Sequence, residues 1–215
     1  MPYRQLARAA ARATGRLGWA RGATGALLGL GLAGLLGRIV NGAVTPFMVA
    51  PMGAAAVLVF VVPASPLAQP WSVIGGNIIS TLIGLAVHAL LPVTPWCGAL
   101  AVALAIAGMS LARCLHPPGG ACALLACLGT GPAGPLLGAV LANVAALVGT
   151  GWIWNNATGH AWPHHVRPVA PPPSYTMDDL DAVLEDWDEV LDVSREDLDA
   201  LFRAVERRVA LKNGH

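Results

Sequence analysis

Between Gly22 and Gly159 the sequence contains no Asp, no Glu and no Lys, and its only charges there are Arg38 and Arg113. All twelve acidic residues fall between Asp178 and Glu206. A soluble core of that length needs a charged, polar surface, so this absence excludes a water-soluble globular domain and leaves lipid as the solvent. The same lack of carboxylates argues against cation transport and against a proton relay built on Asp or Glu. The four cysteines, Cys97, Cys114, Cys122 and Cys127, form no CxxC pair and have no zinc spacing. They read as small packing residues, with no disulfide framework implied. No nucleophile–base pair or metal-ligand set occurs at a useful spacing, so neither an enzyme nor a cofactor or metal is expected. His160, His164 and His165 surround Trp162-Pro163, which reads as an interfacial loop rather than a metal site.

What is present agrees with these exclusions. Charged residues make up 12% of the chain, half the roughly 25% of a soluble domain. The basic N-terminal segment, residues 1–21, places Arg4, Arg8, Arg12, Arg16 and Arg21 at helical spacing. That is a stripe for anionic headgroups, directly before an apolar run, and a better membrane-retention signal than a nucleic-acid site or a cleaved leader. Residues 22–159 then divide into apolar segments: Gly22 to Val40, Val44 to Val62, Val73 to Leu91, Trp96 to Ala112, Pro117 to Leu128 and Pro135 to Trp154. The fifth is too short to cross a bilayer, which takes about twenty residues. Trp152 and Trp154 mark an interface, and both termini are expected in the cytoplasm of a bacterial inner membrane.

A His/Pro-rich linker (160–175) leads to an acidic tail (176–215). There Leu180, Val183, Leu184 and Trp187, then Leu198, Leu201, Phe202, Val205 and Val209, predict two short amphipathic helices. Ser194 with Asp197 predicts the N-cap of the second. The apolar faces of these helices need a partner, expected to be a cytoplasmic protein. Gly25, Gly29, Gly31 and Gly34 in the first span permit close helix contact, within the chain or with a second copy.

Two passages match 67 positions apart: Pro51-Met-Gly-Ala-Ala-Ala-Val-Leu58 and Pro118-Gly-Gly-Ala-Cys-Ala-Leu-Leu125. Asn77 and Asn143 follow at nearly the same offset. The expected fold is therefore all-α: a polytopic transmembrane bundle of two inverted three-segment repeats with broken helices, carrying a short helical cytoplasmic tail. Pro51 and Pro117-Pro118 suit first helical turns, and Gly53, Gly119 and Gly120 let a group approach the backbone. Two such starts would aim N–H groups and partial positive charge into one cavity, an anion site in outline. Its candidate substrate residues are Gly53, Ala54, Arg113, His116, Gly119, Gly120 and Ala121.

Arg113 has no acidic partner in the apolar region; it either snorkels to the interface or meets an anionic substrate. His116 either carries a proton beside the cavity or hydrogen-bonds a freed carbonyl. Ser65, Gln69, Asn77 and Asn143 either join helices or line the cavity.

The run Leu115-His-Pro-Pro-Gly-Gly-Ala121, the Pro51–Leu58 passage, and Ser65-Pro-Leu-Ala-Gln-Pro70 leading into Val73-Ile-Gly-Gly76 together resemble the HPP family of integral membrane proteins, named for its His-Pro-Pro motif. The resemblance spans about residues 15–155. It implies a helical membrane domain and, through plastid and cyanobacterial members implicated in nitrite transport, a small-anion substrate. Asn77 stands where that family often has His, and Trp71 where a basic residue is common. The tail resembles the linker that in many bacterial members precedes CBS nucleotide-sensing domains; the sequence stops short of any such domain, so nucleotide regulation is not carried over.

Overall fold

The structure is a computed structural model that describes residues 18–41, 48–129, 132–165, 175–187 and 192–213. It divides into two compact units, Met1–Pro163 and His164–His215. Arg4, Arg8, Arg12 and Arg16 of the basic stripe lie outside the described residues.

Among the described residues, the first unit has six α-helices: α1 (Gly18–Asn41), α2 (Pro51–Val61), α3 (Pro70–Leu90), α4 (Pro95–Leu111), α5 (Pro117–Cys127) and α6 (Ala133–Ala157). A 3₁₀ turn, Pro66–Ala68, joins α2 to α3. Proline explains why these elements start where they do. It occupies the first turn of α2, the 3₁₀ element, α3, α4 and α5, where its missing N–H costs nothing and its fixed φ is already helical. Three segments of the described residues, Gly18–Ile39, Pro70–Leu90 and Ala133–Ala157, are long and apolar enough to cross a membrane.

The second segment, expected from Val44 to Val62 with breaks at Pro46 and Pro51, is helical from Pro51 for 11 residues, the same length as α5, and its residues 44–47 lie outside the described residues. At 1.5 Å per residue each rises about 16 Å, half of a hydrocarbon layer of about 30 Å.

Hydrogen bonds fix the heights of the two half-helices. Just before α2, the Val49 N–H donates to Asn143 Oδ1 at 3.0 Å, and Asn143 Nδ2 donates to the Ala33 carbonyl at 3.1 Å. Asn143 lies near the middle of α6, so α2 starts at mid-height. Its end meets the beginning of α1 and the end of α6: Arg21 Nη1 donates to the Phe60 carbonyl at 2.7 Å and Asn155 Nδ2 to the Val59 carbonyl at 3.0 Å. α2 therefore runs from mid-height to the face that carries Arg21. α3 departs from that face, and α5 runs alongside it. Gly119 packs on Ser80 at the middle of α3, and the Cys127 carbonyl meets His88 Nδ1 near its end at 2.9 Å. α5 thus runs from mid-height to the far face.

The two halves bury corresponding positions. In α2 these are Pro51, Met52, Ala55, Ala56, Val59 and Phe60. In α5 they are Pro118, Gly119, Cys122, Ala123, Ala126 and Cys127, each 67 positions later. The principal helix neighbours are unchanged when α1, α2 and α3 are exchanged for α4, α5 and α6: α1 packs on α2 and α6 as α4 packs on α5 and α3, and α3 packs on α5 as α6 packs on α2. The half-helices also touch each other.

In the second unit, α7 (Met177–Trp187) and α8 (Arg195–Asn213) each begin with a reciprocal cap. The Asp179 N–H donates to Thr176 Oγ1 at 3.2 Å while Thr176 N–H and Oγ1 donate to Asp179 Oδ2 at 2.7 Å. The Asp197 N–H donates to Ser194 Oγ at 3.0 Å, and Ser194 Oγ donates to Asp197 Oδ2 at 2.6 Å. Both are capping boxes with Asp in the third helical position, as the Ser194–Asp197 spacing predicts. Tyr175 stacks edge-on against Phe202, ring centroids 6.3 Å apart, yet Val183, Leu201, Phe202 and Val205 stay exposed.

Candidate functional site

The two half-helix starts were expected to present free amides, and the structure corrects this. At α5, Pro117 and Pro118 have no N–H, and the Gly119 N–H donates to the His116 carbonyl at 2.8 Å. At α2, Pro51 lacks the donor, the Met52 N–H donates to Val49 at 3.0 Å and the Gly53 N–H to Ala50 at 3.1 Å. The amides turn back onto their own chain. What remains of each N-terminus is the positive end of its dipole.

The polar character of the site comes instead from side chains in the α3–α5 seam. His116 immediately precedes α5 and is completely buried. Its Nδ1 lies 2.8 Å from the Leu67 carbonyl in the 3₁₀ turn. A carbonyl only accepts, so Nδ1 carries the proton and Nε2 is left as a bare acceptor. Nε2 has no partner among the described residues, and neither has Ser80 Oγ, which is also completely buried. Gly76 and Ser80 are one turn apart on the same face of α3. A Cβ on Gly119 would lie 2.6 Å from the Gly76 carbonyl oxygen and 2.8 Å from Ser80 Oγ. Only glycine at Gly119 lets the Ser80 hydroxyl rest on the first turn of α5. Two unpartnered polar atoms buried in one seam are unusual, because each costs about 1–3 kcal/mol when left unbonded.

The other candidates divide between joining helices and facing outward. Asn77 donates from Nδ2 to the Val73 carbonyl at 2.8 Å and accepts the Cys122 thiol at 3.2 Å. It and Asn143 tie helices together. Ser65 and Gln69 build the 3₁₀ strap: Ser65 Oγ accepts the Leu67 N–H at 3.1 Å, and Gln69 Nε2 donates to the carbonyls of Pro63 at 3.0 Å and Ser65 at 2.8 Å. Gly53, Ala54, Pro117 and Ala121 are exposed and Gly120 is half-buried, while Pro51, Pro118 and Gly119 pack inside.

Arg113 is exposed and sits at the end of α4 with φ 52°. Its N–H donates to Ser110 at 3.1 Å and the Cys114 N–H to Met109 at 2.9 Å, a Schellman ending with arginine where glycine is usual. Trp71 Nε1 donates to the neighbouring Ala112 carbonyl at 3.1 Å, which sets Arg113 level with the first turn of α3, on the Arg21 face.

Two important residues escaped the sequence reading. Arg21, assigned to a headgroup-facing stripe, is 1% exposed. Besides Phe60 it donates from Nε to Thr158 Oγ1 at 2.8 Å and from Nη2 to Asn155 Oδ1. A buried cation without a carboxylate is tolerated here because it caps the negative ends of both α2 and α6. Trp162, read as an interfacial loop residue, is 1% exposed and donates from Nε1 to the Ala68 carbonyl at 3.1 Å, so it clamps the strap that holds His116. Its large ring inside an otherwise polar loop was the available signal.

Apolar spanning helices, two half-helices meeting at mid-height and backbone ends satisfied inside the protein define a polytopic α-helical membrane protein. The chain belongs to the HPP family: residues 12–163 match its profile, described as HPP, transmembrane region. Two transmembrane proteins of Dictyostelium discoideum are similar to it. One is 44% identical over 85 residues, 38% of this chain and 27% of that relative. The other is 41% identical over 86 residues, 38% of this chain and 30% of that relative. The matches thus span less than a third of either relative. No solved structure matches.

Proposed function

We propose that the protein passes a small inorganic anion across a bacterial inner membrane, with nitrite first among the candidates because of the family it belongs to. One observation carries the reading: two adjoining half-helices start at mid-height and run to opposite faces, with the unpartnered His116 Nε2 and Ser80 Oγ at one of the starts. Inverted repeats with broken helices are a recurrent transporter plan, and positive helix ends favour an anion there. Arg113, at the Arg21 face, would gather the anion. The absence of Asp and Glu from the apolar region removes the usual ligands of a cation. The basic N-terminal sequence supports a cytoplasmic position for the Arg21 face, and with it for both ends of the membrane unit.

The test is nitrite uptake into liposomes containing the purified protein. Uptake above that of protein-free vesicles is expected, and His116→Asn, whose Nδ2 matches Nδ1 and can still donate to the Leu67 carbonyl but which has no atom at the Nε2 position, should bring it down toward that background. Equal uptake with and without protein overturns the proposal.

A second reading, a non-transporting regulatory subunit, is favoured by one feature: the apolar side chains of Val183, Phe202 and Val205 in the tail, exposed although both tail helices are capped. It predicts normal expression, no flux, and a cytoplasmic protein retained by the full-length chain.

A further inference from the structure

We propose that Cys97 and Cys127 form a reversible disulfide that latches the half-helix α5 to the start of α4. Their sulfurs lie 2.9 Å apart although the residues are 30 positions apart in sequence. A bond requires closure to about 2.05 Å, a shift of less than an ångström. Both ends are held in place. Thr94 Oγ1 caps α4 by accepting the Cys97 N–H at 3.2 Å, and the Cys127 carbonyl is held by His88 at 2.9 Å. The thiols are 3% and 0% exposed, but their chain neighbours Trp96 and Leu128 are 83% and 47% exposed, so the pair sits one residue in from the surface.

Its place in the fold supplies the redox argument. The pair closes the far-face end of α5, opposite Arg21. With the Arg-rich end retained in the cytoplasm, the far face meets the oxidising side, where disulfides persist. The oxidant is a disulfide of the glutathione or protein-dithiol class. One cysteine, as its thiolate, attacks the oxidant's S–S bond and forms a mixed disulfide while one oxidant thiol leaves. The second cysteine then displaces the other. Two protons leave the protein, and two electrons reduce the oxidant to two thiols. The closed bond would fix the C-terminal end of α5 while its other end carries His116. Cys114 and Cys122 are not part of the pair: Cys114 lies in the connection before α5, and Cys122 bonds Asn77.

The test uses the full chain in native membranes, treated with oxidised glutathione, diamide or dithiothreitol, then denatured and tagged with a mass-shifting maleimide. The chain has four free cysteines. Four tags are expected after reduction and two after oxidation, on a monomeric band. Cys97→Ser and Cys127→Ser should each keep three tags under oxidation, and Cys114→Ser only one. Oxidation should raise the Tm of the wild type and leave that of Cys97→Ser unchanged. Four tags after both oxidants, or a loss of two tags that persists in Cys97→Ser, overturns the proposal; both outcomes are read without any transport assay.

Discussion

The half-helices α2 and α5 bury the same six positions, yet they are anchored by different physics. α2 fills its seat with volume: Met52, Val59 and Phe60 enter a continuous apolar core with Val140, Leu147 and Trp162. Gly25 and Gly29 of the first span make room for the Phe60 ring; a Cβ on either would come within 2.6 Å of it. Its end is then capped by the Arg21 cation. α5 has Gly119, Cys122, Ala123 and Ala126 at the matching positions and packs by backbone approach, with Gly76 and Gly84 of α3 receiving it. Small residues bury little apolar area, so α5 is held more by fit than by hydrophobic burial. The lesson is that one duplicated pattern of burial supports a firmly wedged half and a half seated by close contact, and the unpartnered polar atoms lie in the second.

Arg21 offers the hardest way to break this contrast. Arg21→Met removes three donors at once and leaves two buried acceptors, the Phe60 carbonyl and Asn155 Oδ1, to find new partners, while the half-buried Thr158 Oγ1 keeps its bond to the Trp154 carbonyl. At about 1–3 kcal/mol for each buried group left unsatisfied, a loss of roughly 2 kcal/mol or more is expected, read as a lower Tm in detergent. Arg21→Lys should recover only part of it, because one ammonium cannot replace a planar fork that reaches two helix ends. A wild-type Tm for Arg21→Met would mean that α2 is held by its apolar side chains alone.

Glycine substitutions sharpen the comparison from the other side. In Gly84→Ala the new Cβ collides with the backbone carbonyl of Ala123, which no side-chain rotation relieves. Overpacking of this kind costs about 1–3 kcal/mol. Gly53 in α2 has nothing within 4 Å of its would-be Cβ, so Gly53→Ala should be neutral or stabilise by up to about 1 kcal/mol through helix propensity. Thermal melting of the two variants side by side should show a loss for Gly84→Ala and none for Gly53→Ala. Equal losses would contradict the distinction between a wedged and a close-packed half.

How far the sequence revealed this arrangement follows from what each signal encodes. The charge vacuum from Gly22 to Gly159, the prolines that open helices and the Pro51/Pro118 match were all local, and they gave the helical membrane class and the two half-helices. The Ser194–Asp197 cap was legible because a capping box lies within four residues, and the Thr176–Asp179 cap, equally local, was missed. The roles of Arg21 and Trp162 were not, since both depend on partners far away in the chain: Arg21 bonds Thr158, 137 positions away, and Trp162 bonds Ala68, 94 away. An arginine at regular spacing with four others reads as one of a stripe until the fold singles it out. The expectation of free amides at the half-helix starts failed for a local reason. The prolines that marked those starts are also the residues without an N–H to offer.

Arg113 permits a smaller test in which stability and function separate. A non-glycine residue at φ 52° carries about 1–2 kcal/mol of steric cost, so Arg113→Gly should raise the Tm. If the exposed guanidinium collects anions, the same variant should lose nitrite flux. A gain in stability with unchanged flux would leave the arginine without a transport role.

The smallest effect concerns pH at the Arg21 cluster. His160 follows α6, and its N–H donates to the Asn155 carbonyl at 2.9 Å. Burial, and then the nearby Arg21 charge, push the imidazole below its ordinary 6.5, with the Thr158 carbonyl opposing the shift. The folded protein therefore holds His160 neutral at a pH where the unfolded chain has begun to bind a proton. By linkage this contribution to stability is complete above pH 6.5 and is lost as the pH falls from there through the lower, folded value. The Tm should be flat above that pH and decline below it, and His160→Asn, which carries no titrating group, should flatten the decline. Because Arg21 bonds the end of α2, this acid sensitivity belongs to the wedged half; a decline of equal size in His160→Asn would move its origin elsewhere in the molecule.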